Sequence, residues 1–292
     1  MNAPTGARPW PSLAFLLLLG MGALQREPAT ALAQPAPVAA ETLRDVAYGP
    51  HPRQRFDVHL PANPRGAPTI FFVHGGGWQR GDKAGALGDK ARHWTAAGAI
   101  VISTNYRLLP EADPVEQAAD VAGALAKAQS VVAARGGDPD AFALMGHSAG
   151  GHLVALLAAS PELARAAGAR PWRANVLLDA GAVDVVQRME AGPPALLANA
   201  FGDDPGFWRK ASPLHRLEAR IAPTLAVCAS GRPDSCAAHR AFVDKARALG
   251  GRAQLLPKPL DHAAINRTLG SDAGYTREID DFLRDAGLPL DD

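Results

Sequence analysis

The sequence predicts an α/β fold on a largely parallel sheet, and the patterning carries that expectation. Short apolar, β-branched runs bounded by Gly, Pro or Asn recur along the chain. They alternate with longer stretches whose apolar residues return at helical spacing. Parallel neighbours need a crossover of a dozen residues or more, and the intervening stretches are the right length to be those helices. Size agrees: 292 residues at 47% hydrophobic composition bury a sizeable core within one domain.

In chain order, strands are expected over Arg55 to Leu60, Thr69 to His74, Ala99 to Thr104, Ala141 to Gly146, Asn175 to Asp179, Thr224 to Ala229 and Ala253 to Leu256. Helices are expected over Lys83 to Ala97, Val115 to Arg135, Ala149 to Ala159, Cys236 to Leu249 and Ala273 to Asp285. The one large irregular stretch, Ala182 to Leu214, carries Met189, Phe201, Phe207 and Trp208. Two readings fit it equally: a modest lid or pocket wall, and an ordinary packed connection whose aromatics fill the core.

The first forty residues differ from the rest. Arg8 gives a weakly positive start, Leu13 to Leu24 is an unbroken apolar run, and Ala31-Leu32-Ala33 offers small residues where a signal peptidase cuts. Residues 1–33 therefore read as a signal peptide and 34–40, rich in Pro and Ala, as a flexible lead-in to the α/β domain over 41–292. The apolar run falls short of the ~20 residues that cross a bilayer, so a stable membrane span is not expected, and an uncleaved N-terminal anchor is the alternative to cleavage. Export makes the protein secreted or periplasmic. The 30 basic and 29 acidic side chains nearly cancel, leaving no excess charge to hold a nucleic-acid backbone. Oligomeric state is left open.

Gly146-His147-Ser148-Ala149-Gly150 matches G-x-S-x-G in its required context, with an apolar strand before it and a helix after it. A nucleophilic serine on so sharp a turn takes a strained backbone, and the flanking glycines remove side chains that would collide. His74-Gly75-Gly76-Gly77-Trp78 follows the Thr69 strand directly. Consecutive glycines let backbone N–H groups approach a ligand, so the N–H groups of Gly76, Gly77 and Ala149 are the expected oxyanion hole. Nothing has metal-ligand spacing, and no phosphate loop is present.

These residues resemble the carboxylesterases of the hormone-sensitive-lipase and feruloyl-esterase-like branch of the α/β-hydrolase family. The likeness includes Asn105-Tyr106-Arg107-Leu108-Leu109-Pro110-Glu111, Gly136-Gly137-Asp138-Pro139 and Ala211-Ser212-Pro213, and it runs from about Arg55 to Leu283. It implies an α/β-hydrolase fold with a mostly parallel eight-stranded sheet flanked by helices, triad order Ser, acid, His, no cofactor, and action on short-chain or aryl esters. His147 stands where lipase-like members often have Asp, and no long N-terminal cap is present. Both departures lean toward the smaller esterase and arylformamidase-like relatives.

In that order the base belongs after the last strand, where His262 lies. His147 and His152 leave along the elbow backbone and read as structural, and His74 as a brace for the oxyanion loop. His51, His59, His93, His215 and His239 belong to no motif. The acid belongs after the strand before, where Gly231-Arg232-Pro233-Asp234 follows Thr224 to Ala229, so Asp234 is the expected acid. Ala237 stands three residues after it where the family usually has Val. Asp203 and Asp204 read as cap or turn residues, and Asp261 is too close in sequence to His262. Cys228 and Cys236, the only cysteines, bracket Asp234, and in an oxidising compartment they are expected to form a disulfide that pins its loop. The expected function is ester hydrolysis through an acyl-enzyme on a small-molecule ester. The alternatives are an arylformamidase-like amide hydrolase and a non-catalytic α/β-hydrolase relative that binds a ligand.

Overall fold

The structure is a computed structural model that describes residues 41–291. The expected signal peptide and lead-in therefore lie outside the described residues. Eight strands form one sheet: β1 Thr42–Ala47, β2 Arg55–His59, β3 Thr69–Val73, β4 Ile100–Thr104, β5 Phe142–His147, β6 Ala174–Leu178, β7 Thr224–Ala229 and β8 Ala253–Lys258. Their spatial order is β1-β2-β4-β3-β5-β6-β7-β8. β1 and β2 pair antiparallel at one edge, β2 pairs antiparallel with β4, and every pair from β4 through β3 to β8 is parallel.

The parallel strands β3 to β7 are buried on both faces, which is why they read as continuous apolar runs, while β8 at the edge is only partly covered. Alternation still sorts their side chains. Phe71, Val73 and Leu144 face one core with the helices Pro114–Ala134 and Ala149–Ala159, while Ile70, Phe72 and Met145 face the other with the helix Ala273–Asp285. β1, the strand the apolar pattern did not reveal, is half exposed at the edge and broken by an irregular register between Leu43 and Val46. The expected helix over Lys83 to Ala97 is two short ones, Lys83–Ala86 and Lys90–Ala96, parted at Gly88, whose φ is 52°. The stretch after β6 holds four short helices, Val185–Glu190, Ala195–Phe201, Pro205–Ala211 and Pro213–Arg216. Met189 and Phe201 there are buried in the core, whereas Leu196 is exposed.

The register matters most at the carboxyl ends. Val73 lies opposite Gly146, His147 opposite Leu178, and Leu178 opposite Val227. The residues one step beyond the paired ends, Ser148 after β5 and Asp179 after β6, therefore sit side by side, with the Ser148 N–H donating to the Leu178 carbonyl at 3.0 Å. Open parallel sheets bind ligands at such carboxyl ends.

Candidate active site

Ser148 occupies the elbow with φ 55° and ψ −120°, a conformation L residues rarely hold. Its neighbours have no room for side chains. A Cβ on Gly146 would stand 2.3 Å from the Gly150 carbonyl oxygen, and one on Gly150 would stand 2.2 Å from that of Val73. The motif's glycines thus let the helix Ala149–Ala159 start directly against β3 and β5.

The Ser148 hydroxyl donates to His262 Nε2 at 2.9 Å, and His262 Nδ1–H donates to Asp179 Oδ2 at 2.6 Å. Three strand ends thus supply one hydrogen-bonded chain: Ser148 from β5, Asp179 from β6 and His262 after β8. Asp179 is fully buried and accepts further bonds, from Ser235 Oγ at 2.7 Å and from Arg232 Nη1. Burial pushes the Asp179 carboxyl up. The hydrogen bonds from His262 and Ser235 and the charge of Arg232 outweigh that and hold it below the usual carboxylate range. Arg232 Nη1 also lies 2.7 Å from His262 Nδ1, so guanidinium and imidazole converge on one carboxylate oxygen.

The structure does not bring Asp234, the acid expected from the sequence, to His262. The helix Pro233–Ala248 begins at Pro233, and its first turn directs Ser235 inward to Asp179 and Asp234 outward. The Asp234 side chain is 80% exposed, and its one ion pair among the described residues is with Arg188, at 3.6 Å. In the sequence Asp179 is expected only as the last residue of a strand. One signal is there, a carboxylate directly after Val176-Leu177-Leu178 on the strand that follows the elbow, and in the structure that residue adopts φ 43°. Asp204 caps the helix Pro205–Ala211 by accepting from the Gly206 N–H at 2.8 Å.

The Cys228–Cys236 disulfide is formed, but the loop it closes carries Arg232 and Ser235 onto the acid rather than the acid itself. His239, which no motif marked, is buried just beyond. Its Nε2 accepts from the Ala180 N–H at 3.0 Å and its Nδ1–H donates to the Ser235 carbonyl at 2.7 Å.

The loop after β3, expected from the sequence to be an oxyanion loop, turns at Gly76 to Gln79 and is braced by His74, whose Nδ1–H donates to the Gly75 carbonyl at 2.7 Å and whose ring stacks on Tyr106. A Cβ on Gly75 would meet Ser148 Cβ at 3.1 Å, so the loop lies against the serine. The N–H groups of Gly76, Gly77 and Ala149 donate to no acceptor among the described residues. Leu196, 38% exposed, overhangs this loop, and its Cδ1 would be 2.6 Å from a Cβ on Gly77. The stretch after β6 is thus both packed connection and pocket wall. His147 donates from Nε2 to the His262 carbonyl at 2.8 Å, and buried His152 accepts from Trp78 Nε1 at 3.2 Å. Burial lowers His74, His147 and His152 to about 4 each, so all three are neutral near pH 7.

No group of His, Cys, Asp or Glu among the described residues is placed to hold a metal ion. No described helix is long and apolar enough to cross a membrane.

Comparison with known proteins fits this arrangement. A rice (Oryza sativa subsp. japonica) protein named "Probable isoprenylcysteine alpha-carbonyl methylesterase ICME" is 38% identical over 117 residues, covering 39% of this chain and 28% of its own length. Esterase LipC of Mycobacterium tuberculosis (strain ATCC 25618 / H37Rv) is 29% identical over 225 residues, 70% of this chain and 55% of its own. The chain thus spans between about a quarter and just over half of the length of these curated relatives. Among solved structures, Thermogutta terrifontis esterase 2 phosphoramylated by tabun superposes with a TM-score of 0.69 at 23% identity, over 87% of this chain and 97% of that one, which establishes the α/β-hydrolase fold. The BD-FAE family model matches residues 56–236, which take in the Gly75 to Gly77 loop, Ser148 and Asp179 and amount to more than half of the sequence, so this chain belongs to the BD-FAE family.

Proposed function

We propose that the protein is a serine hydrolase that cleaves small carboxylic esters, short-chain or aryl, without a cofactor. The observation that carries the reading is the chain from Ser148 Oγ through His262 to buried Asp179, beside N–H groups that donate to no acceptor among the described residues. His262 takes the serine proton as Oγ attacks the ester carbonyl. The N–H groups of Gly76, Gly77 and Ala149 receive the oxyanion of the tetrahedral intermediate, a role worth about 3 kcal/mol per donor in comparable sites. Asp179, kept ionised by its donors, holds the imidazole in the tautomer that presents Nε2 to Ser148 and steadies the imidazolium. His262 then protonates the departing alcohol, and water repeats the steps on the acyl-enzyme. The names of the rice methylesterase and of Esterase LipC favour ester chemistry. A fluorophosphonate should label Ser148 in the folded protein, and Ser148→Ala should lose both label and turnover of aryl acetates. Wild-type turnover in that variant would refute the reading.

We also propose that the protein is exported, on the Leu13 to Leu24 run and Ala31-Leu32-Ala33, with the Cys228–Cys236 bridge in keeping with an oxidising compartment. Export predicts a mature N-terminus at Gln34 in secreted or periplasmic material, and recovery of full-length protein from the cytoplasm alone would contradict it.

A further inference from the structure

A cavity of about 220 Å³ lies next to the reacting centre, between the loop that follows β6 and the first turn of the helix Pro233–Ala248. It meets the hydrogen-bonded chain at two places. Gly181 lines it, and the Gly181 N–H donates to the Ser148 carbonyl at 2.9 Å, while a Cβ on Gly181 would stand 3.5 Å from the Ala149 nitrogen, one of the proposed oxyanion donors. Arg232 lines it too, and reaches Asp179 and His262 with Nη1 alone.

The charged groups of the lining are Arg188, Arg232 and Asp234, two cations against one anion. A guanidinium carries five N–H donors in a planar fork. Arg232 places one guanidinium nitrogen on Asp179, and neither of the other two guanidinium nitrogens donates to a described residue. The Arg188 guanidinium makes no hydrogen bond among the described residues. Its single partner is Asp234 at 3.6 Å, beyond hydrogen-bond reach, and that carboxylate is 80% exposed. An exposed pair of this kind contributes little, so a better-placed anion displaces it.

We propose that this cavity is a subsite for a carboxylate carried by the substrate, held between Arg188 and Arg232, so that the preferred esters bear a free acid close to the scissile bond. The inference rests on the hydrolase reading above and narrows it to anionic esters. The planar forks match a carboxylate's two oxygens. The side of the wall from Ala180 to Val183 is small and apolar, leaving room for a short carbon chain, and Pro233, Ser235, Ala238 and His239 complete the lining.

The test compares matched ester pairs that differ by the acid: a monoaryl succinate against the aryl butyrate for an acid on the acyl side, and a carboxyphenyl acetate against phenyl acetate for an acid on the leaving group. For one pair, wild-type kcat/KM should favour the anionic member, mainly through KM. Arg188→Gln should reduce that preference roughly ten- to hundredfold, the worth of a charge-assisted hydrogen bond. Asp234→Asn, which frees Arg188, should increase it. Thermal midpoints of both variants guard against general loss of structure. Neutral esters turned over as well as or better than anionic ones in both pairs, or a preference indifferent to both substitutions, would overturn the subsite and leave the hydrolase reading standing. Failure of every ester together with an unlabelled Ser148 would overturn the hydrolase reading itself.

Discussion

At the residue scale, the decisive feature is how many donors Asp179 collects. A carboxylate in a dry site keeps its charge only if its oxygens are occupied, and here His262, Ser235 and Arg232 occupy them. Ser235→Ala removes one donor without touching the reacting atoms. It should lower kcat about tenfold with little change in KM, since the loss is felt through the imidazole rather than through substrate contacts. Steady-state kinetics would show this, and a rise in KM at constant kcat would assign Ser235 to substrate binding instead. Ser148 was legible because its motif ties residue type to a strand end, and His262 because the triad order implied by the resemblance puts the base after the last strand. Asp179 was not, because a carboxylate closing a buried strand has no spacing rule of its own. Its partners, Ser235 and Arg232, lie more than fifty residues away.

At the scale of elements, the short loop closed by Cys228–Cys236 fastens the end of β7 to the first turn of the helix Pro233–Ala248. The helix in turn presents Ser235 to Asp179 and His239 to the Ala180 N–H. Opening so short a loop should cost roughly 2–3 kcal/mol of stability on the chain-entropy model. The Cys228→Ala, Cys236→Ala double variant should therefore melt lower in a denaturant titration and also lose kcat, because the freed turn holds the acid less well. Loss of stability with unchanged kcat would confine the bridge to a structural role. Both cysteines were readable as a pair from the sequence. What they support was not, since it depends on the helix starting at Pro233 rather than Cys236, which turns Asp234 outward.

At the scale of the whole molecule, the eight-stranded sheet was implied by the family resemblance, and its parallel strands were legible from their apolar runs. β1 escaped because an exposed, irregular edge strand lacks a clean period. The buried imidazoles of His74 and His152 bear on stability at this scale, each lowered by burial to about 4. A depressed folded value means that the unfolded chain binds protons first. Their contribution is therefore complete above the ordinary value of about 6.5 and is lost as pH falls through about 4. At 1.36 kcal/mol per pH unit this is roughly 3 kcal/mol for each ring, enough against a typical margin of 5–15 kcal/mol to bring on acid unfolding. The thermal midpoint should fall steeply between pH 6.5 and 4, and a flat profile there would show that neither ring is buried in its neutral form.

The account as a whole stands on the sheet bringing Ser148, His262 and Asp179 together from three strand ends, and one comparison tests it most directly. Asp179→Asn keeps the size of the side chain but favours the wrong imidazole tautomer, so it should lower kcat on a neutral aryl ester by about 10³–10⁴ with little change in KM. Asp234→Asn, assayed beside it on the same ester, should stay within about tenfold of wild type. The opposite pattern, with Asp179→Asn near wild type and Asp234→Asn nearly inactive, would contradict the account.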